Sequence, residues 1–429
     1  MSRKNPRKTH PKKAEAPVKK SKTPIKSSVP ADFFQIISEK VSAVYYIRQP
    51  YFIYSLFLLA GYIYIINAWI CDDSFITYRT IDNFYNGYGL TWNVSERVQV
   101  FTHPLWMFLH TAFYFITREP YFLNLAFSFI CTFAALYMLA FKIFKDYFSA
   151  GAAIILLLFS KSFVDYSSSG LENPLSYLLT AFILWIFFDY ERKNRLFVLS
   201  LLISLALLTR LDFLLLFALL LVFELRKSFS LKSILKVLTG FIPLILWQLF
   251  SIIYYGFPLP NTYYAKVALE YPGQGRLISQ GISYFTNSLA WDPVTLIFIF
   301  GVLVSVVFLF AGKSKDSLKY LFAGTGILLY FLYLIKIGGD FMTGRFFSVP
   351  VFIAASLYAR MELKNKNALS VFVIALAMIT GIVNYHRTPL FSSASYGSER
   401  TKDEENEETN PWWYYPFTDE NGITDERAF

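Results

Sequence analysis

The sequence predicts an all-α, polytopic transmembrane helix bundle. Three observations predict this class: a strongly apolar composition, apolar blocks long enough to cross a bilayer, and basic residues concentrated in alternate loops. Apolar residues make up 55% of the 429 residues, aromatic residues 19% and charged residues only 16%. Soluble domains carry about 25% charged residues, so this composition indicates a membrane protein.

The apolar residues are gathered into blocks that match the thickness of a bilayer. A transmembrane helix needs roughly 20 mostly apolar residues, and we interpret about eleven blocks as spans of one transmembrane domain at residues 49–390. The spans lie at about 51–70, 121–141, 149–164, 173–189, 196–208, 211–224, 236–255, 294–311, 318–336, 346–359 and 368–384. No small-residue cleavage site follows the first block, so we expect it to remain as a signal anchor.

The basic residues predict the orientation. Ten Lys and Arg residues lie within residues 3–26, and residues 1–48 are therefore expected to form a basic, disordered, cytosolic tail. The loops that would share this side are basic as well, as the positive-inside rule requires. This placement explains the net charge of +10 without nucleic acid as a partner, and it predicts a multi-pass protein of the inner (plasma) membrane.

The first outer loop, from Cys71 to Pro120, is expected to be ordered. Its stretches 75–85 and 103–116 are amphipathic and aromatic. We predict that they form two helices lying in the membrane interface, where Trp and Tyr are favoured.

Two adjacent carboxylates, Asp72 and Asp73, directly follow the first span. Like charges this close raise one pKa, which suits a general base acting on a hydroxyl group. A helix N-cap would explain one aspartate but does not need two. We therefore predict that this pair is catalytic.

A glycine-rich outer loop contains Asp340 and ends at Arg345. Its glycines allow a backbone to approach a ligand closely, and an arginine suits phosphate. The alternative is a tight turn with an arginine that reaches toward the interface.

Further polar candidates lie in the other predicted outer loops. Arg210 could bind a ligand, or it could simply pair with Asp212, and Lys266 is a candidate phosphate contact in a rigid, proline-containing loop. No cluster of His, Asp and Glu at ligand spacing predicts a metal site, so no cofactor is assigned and a divalent metal stays open. The remaining candidates are His103, Glu172 and Asn261.

These segments resemble the AftB-like terminal arabinofuranosyltransferases, a family of GT-C membrane glycosyltransferases. The similar segments are DDSFITYRTIDNFYNGYGLTWNVSERVQVFTHPLW (72–106), SGLENPL (169–175), LTRLD (208–212), YYGFPLPNTYYAK (254–266) and GGDFMTGRF (338–346). The resemblance implies a polyprenyl-phosphate-linked sugar donor, an active site on the outer face and an acidic base after the first span. It favours Asp72, which lies nearest the end of that span.

The resemblance also implies roles for the other polar residues. Donor phosphate or acceptor binding is expected at Arg79, His103, Glu172, Arg210, Asn261, Lys266, Asp340 and Arg345. Residues 391–429 resemble the start of an outer soluble domain that is absent here.

The expected function is inverting transfer of arabinofuranose or a similar sugar to a cell-envelope glycan or glycolipid. Its partners would be the lipid-linked donor, the acceptor and membrane lipid. A transporter or flippase of a lipid-linked sugar is one alternative, although transporter sites lie near the bilayer midplane and the acidic residues here lie at one edge. An inactive relative that acts as a scaffold is the other.

Overall fold

The protein is a bundle of α-helices, and the predicted all-α class is confirmed. The computed structural model describes residues 50–190, 193–265, 273–314, 316–363, 366–383, 388–390, 421–425 and 427. The predicted tail 1–48 lies outside the described residues, and so does most of segment 391–429. Within the described ranges no strand is present, and a single β-bridge pairs Met342 with Thr424.

The helices follow one another with short connections. They are α1 (Pro50–Asn67), α2 (Asp73–Tyr85), α3 (Pro104–Thr117), α4 (Tyr121–Met138), α5 (Tyr147–Phe159), α6 (Lys161–Asp165), α7 (Asn173–Asp189), α8 (Arg195–Leu207), α9 (Leu214–Leu225), α10 (Leu231–Gly240), α11 (Ile242–Tyr255), α12 (Gln274–Trp291), α13 (Pro293–Ala311), α14 (Ser317–Ile337), α15 (Ser348–Arg360) and α16 (Lys366–Val383). One-turn helices lie at Leu211–Phe213, Arg226–Ser228, Asn261–Tyr263 and Arg345–Phe347, and a π-helical turn, Leu139–Ile143, extends α4.

The helices establish a polytopic membrane protein. Among the described residues, α1, α4 with its extension, α13 and α14 are each long and apolar enough to cross a bilayer. Helices α10 and α11 add a fifth candidate, although they meet at a bend of 56°, where Pro243 cannot donate a backbone hydrogen bond. The other predicted spans coincide with shorter helices, so the number eleven and the orientation stay predictions.

Helices α7 and α15 form the centre of the bundle. Every residue of α15 is buried, and so is most of α7. Their N-terminal ends meet, because Asn173 Nδ2 donates a hydrogen bond to Ser348 Oγ at 2.8 Å. The residues that immediately precede these helices, including Glu172 and Arg345, are therefore brought to the same end of the bundle.

The segment predicted as the first outer loop contains the two predicted helices, α2 and α3, which pack against each other. A buried polar network ties them to the loop before α7. Asn124 Nδ2 donates to Tyr78 Oη at 2.7 Å and to the carbonyl of Gly170 at 3.0 Å, and Trp106 Nε1 donates to the same carbonyl at 3.1 Å. The loop that carries Glu172 therefore lies against α2.

Candidate active site

A cavity of about 430 Å³ lies where α2, the loop before α3, the end of α14 and the loops before α9 and α15 meet. Ligand sites typically enclose about 300–1,000 Å³, so the cavity is large enough for a small-molecule substrate. Of the predicted site residues, it brings together Asp73, His103, Arg210, Asp340 and Arg345.

Part of the cavity lining is apolar. Tyr333 and Ile337 of α14 contribute to it, together with Leu259, Phe341 and Phe346. These side chains were not predicted as site residues, because apolar residues near a predicted span carry no local signal of a site. The lining as a whole is amphipathic.

Glu172 lies behind the polar wall and joins its charged residues. Its side chain is fully buried, and Oε1 lies 3.3 Å from Arg210 Nη1 and 3.4 Å from Arg345 Nη2. Its other oxygen, Oε2, lies 3.2 Å from His103 Nδ1. Burial opposes ionisation of this group, but Arg345, His103 and Arg210 outweigh it and hold the pKa of the carboxyl well below its usual value of 4.5.

The two arginines are held differently. Arg210 is locked by Asp212 in a bidentate pair, with Nε donating to Oδ1 at 3.0 Å and Nη2 donating to Oδ2 at 2.5 Å, and its guanidinium stacks over the ring of Phe346. This is the pairing that the sequence left as an alternative to ligand binding for Arg210. The geometry favours a structural role for this arginine.

Arg345 is held more loosely. Its nearest carboxylate oxygens, on Glu172 and Asp340, are both 3.4 Å away, whereas charge-assisted hydrogen bonds normally measure about 2.7–2.9 Å. Its Nε has no hydrogen-bond partner among the described residues although it is buried. Burial lowers the pKa of this guanidinium, but the two carboxylates outweigh it and raise the pKa. Arg345 is therefore always positively charged, and it has N–H donors available to an anion.

His103 connects Glu172 to α2. Its Nε2 lies 2.9 Å from the hydroxyl of Thr77, which lines the cavity one helical turn after Asp73. If Nδ1 carries the proton toward Glu172, then Nε2 accepts from Thr77. Thr77 was not predicted as a site residue, although its i+4 spacing from Asp73 places both residues on the same face of a helix.

The two adjacent aspartates are placed differently. Asp72 is exposed and is the N-cap of α2, where its carboxylate accepts the backbone N–H of Asp73 at 2.7 Å. Asp73 is the first residue of α2 and lines the cavity. The capping role thus falls to Asp72, and the geometry shifts the preference for a base from Asp72 to Asp73.

Two further predicted contacts, Arg79 and Asn261, are described but do not line the cavity. Arg79 is exposed and stacks on the ring of Trp92 at 4.3 Å. Asn261 is exposed, and its backbone N–H donates to the carbonyl of Gln99 at 2.9 Å. Lys266 lies outside the described residues.

A metal centre was not assigned from the sequence. In the described ranges, no three His, Cys, Asp or Glu side chains are arranged to hold a metal ion.

The chain is similar to a curated protein of known activity. Over 327 residues it is 26% identical to the terminal beta-(1->2)-arabinofuranosyltransferase of Mycobacterium tuberculosis, and the match covers 66% of this chain and 51% of that protein. The chain thus spans about half the length of the relative that it matches. No family model and no solved structure matches the chain. The similarity supports a relationship to arabinofuranosyltransferase-like membrane proteins.

Proposed function

We propose that the protein is an inverting membrane glycosyltransferase of the GT-C type, using a polyprenyl-phosphate sugar as donor. Arabinofuranose or a similar sugar would pass to a hydroxyl group of a cell-envelope glycan or glycolipid on the outer face. The observation that carries this proposal is that one cavity is lined both by Asp73 and by the loosely held Arg345. The similarity to an arabinofuranosyltransferase supports the sugar class.

Asp73 is the proposed general base. It accepts the proton of the acceptor hydroxyl while that oxygen attacks the anomeric carbon of the donor. The bond between that carbon and the phosphate oxygen breaks on the opposite face, so that the configuration inverts and the lipid phosphate leaves with the bonding electrons. General-base assistance of this kind contributes about 10²- to 10⁴-fold in rate.

Arg345 is the proposed phosphate ligand. As the phosphate leaves, its negative charge grows, and a buried, preorganised cation stabilises that charge more than water does. The contacts of 3.4 Å to Glu172 and Asp340 leave N–H groups able to turn toward the phosphate. Arg210 supports this arrangement indirectly, because its lock to Asp212 fixes the position of Glu172.

The apolar part of the lining suits the rest of such a donor. Tyr333, Ile337 and Phe346 line the same cavity as the charged residues, so a ligand with a charged head and an apolar chain would meet both polar and apolar groups there. A nucleotide sugar offers no such apolar part.

The test is turnover by the purified chain with synthetic polyprenyl-phosphate pentoses and a glycan acceptor, scored by product mass. The wild-type chain should form a product larger by one pentose, and Asp73→Asn should lose at least about 100-fold of the rate. The neighbouring Asp72→Asn is the matched control, since Asn caps a helix about as well as Asp. A fully active Asp73→Asn variant would refute Asp73 as the base.

The transporter alternative is separated by a second measurement on the same preparation. Reconstituted vesicles should show no movement of the lipid-linked sugar from one leaflet to the other above that of protein-free vesicles. Movement without product formation would replace the transferase proposal with the transporter.

A further inference from the structure

A segment near the C-terminal end of the sequence is docked into the bundle behind the cavity. We call residues 421–427 the strap, of which 421–425 and 427 are described. Ile423 is fully buried, and Asp425 is 4% exposed. We propose that the strap positions the loop 338–345, and with it Arg345, for phosphate binding; the catalytic part of this inference rests on the proposed function.

The strap pairs with the backbone of that loop. Thr424 N–H donates to the carbonyl of Phe341 at 2.7 Å, and Thr343 N–H donates to the carbonyl of Thr424 at 2.8 Å. Two tyrosines bond the same loop: Tyr284 Oη donates to the carbonyl of Met342 at 3.1 Å, and Tyr166 Oη donates to the carbonyl of Thr343 at 3.0 Å. The residues between Asp340 and Arg345 are thus clamped by the strap together with these tyrosines.

The loop needs such a clamp. Gly338, Gly339 and Gly344 all have positive φ, at +88°, +70° and +76°, and glycine loses the most conformational freedom on ordering. Without the strap, the carbonyl of Phe341 and the N–H of Thr343 would lose these two backbone partners. The strap would then no longer fix the separation of Asp340 from Arg345.

Two buried ion pairs anchor the strap to α6. Lys161 Nζ lies 2.6 Å from Asp425 Oδ2, and Arg427 Nη1 lies 3.3 Å from Asp165 Oδ1. Helix α6 and the strap each contribute one acidic and one basic residue, so the charges of the two segments complement one another. Removal of one member would leave a buried charge with one partner fewer, which is strongly unfavourable.

The strap therefore connects the two backbone segments whose side chains meet at the cavity. Helix α6 leads through Tyr166 to the loop of Glu172, and the clamped residues lead to Arg345. Glu172 and Arg345 are themselves 3.4 Å apart. None of the described strap residues lines the cavity, so the strap is a positioning element and not a substrate contact.

The test compares two substitutions of one strap residue in the full chain. Thr424→Pro removes the N–H that bonds Phe341, whereas Thr424→Ser keeps that N–H and the hydroxyl. Asp425→Asn is a second perturbation that leaves the backbone intact. Hydrogen–deuterium exchange of the peptide covering 338–347 needs no substrate, and it should rise about tenfold in Thr424→Pro and Asp425→Asn, with Thr424→Ser and the peptides of α7 unchanged.

Kinetics then show whether the clamp acts through Arg345. Thr424→Pro should lower kcat/KM for the donor about tenfold, mainly through KM, while the double variant Thr424→Pro/Arg345→Ala should be no slower than Arg345→Ala alone. Losses that multiply in the double variant would overturn the proposal, and so would unchanged exchange in both strap variants. If the wild-type chain forms no glycosyl product, the exchange measurement still decides whether the strap holds the loop, so the two proposals can fail separately.

Discussion

Removing the charge of Glu172 should expose how the site is held together. In Glu172→Gln, Arg345, Arg210 and His103 all lose the carboxylate that now lies 3.2–3.4 Å from them. The shape of the side chain is kept, so the change isolates the charge.

The loss of folding stability in Glu172→Gln can be estimated from the contacts in the structure. Breaking a buried ion pair by removing one partner costs about 3–5 kcal/mol. Arg210 keeps its bidentate bond to Asp212, and Arg345 keeps its contact with Asp340, which places the expected loss of stability near the lower end, at about 3 kcal/mol. Donor use should fall as well, because Arg345 loses one of the two groups that position it.

The stabilisation of the fold by Glu172 should depend on pH in a definite direction. The pKa of Glu172 in the folded protein lies well below 4.5, so the folded state binds this proton more weakly than the unfolded state does. The stabilisation by Glu172 is therefore fully present above pH 4.5 and is lost as the pH falls below that value through the folded pKa. Glutamine does not titrate, so the stability gap between the wild type and Glu172→Gln should narrow only below pH 4.5.

The assay is thermal unfolding in detergent, followed by intrinsic fluorescence across this pH range. Glu224→Gln is the matched control: Glu224 is also buried and pairs with two cations, Arg195 at 2.9 Å and Lys227 at 2.8 Å, but it lies at the other end of α9 from the cavity. It should lose stability without losing donor use. Equal stability of Glu172→Gln and wild type at neutral pH, or a gap that stays constant on acidification, would refute the electrostatic account.

The remaining predictions concern the phosphate ligand and the orientation. Arg345→Ala should weaken donor binding strongly, and Arg345→Lys should also lose much of it, since a point charge cannot reproduce the planar fork of the guanidinium. Arg276→Ala, on the exposed face of α12, is the control. A normal KM for the donor in both Arg345 variants would show that the loop is only a turn. A reporter fused after Glu172 should be found outside the cytosol and one fused after Lys193 inside, because the intervening span separates a loop without Lys or Arg from a basic one. Both reporters on one side would contradict the topology.

The helical class could be predicted because its signal is local. Apolar blocks of about 20 residues need only the sequence around them, and each predicted span does contain helix. The roles of Asp72 and Asp73 could not be separated in the same way. Neighbours on a helix point about 100° apart, so the start of α2 decides which aspartate caps the helix and which lines the cavity.

The long-range contacts were beyond the sequence for a different reason. Glu172 and Arg345 meet only because the buried helices α7 and α15 begin beside each other. Lys161 and Asp425 are likewise far apart in the chain. Charge type predicted that these groups need partners, but it did not predict which partners they have.

The arrangement of the charges would allow a buried site with so many carboxylates to receive the phosphate of the proposed donor. Asp212 holds Arg210 tightly, Arg210 holds Glu172, and Glu172 contacts Arg345 at 3.4 Å. Ionisation of Glu172 is secured by its cationic neighbours, so Arg345 is positioned by a fixed charge without its own N–H groups being saturated. In the proposed reaction the donor phosphate would meet a cation that is already oriented and desolvated, and only weak contacts would have to be exchanged for strong ones. Preorganisation of this kind favours the state in which the phosphate carries the most charge, which is the leaving group of the proposed transfer.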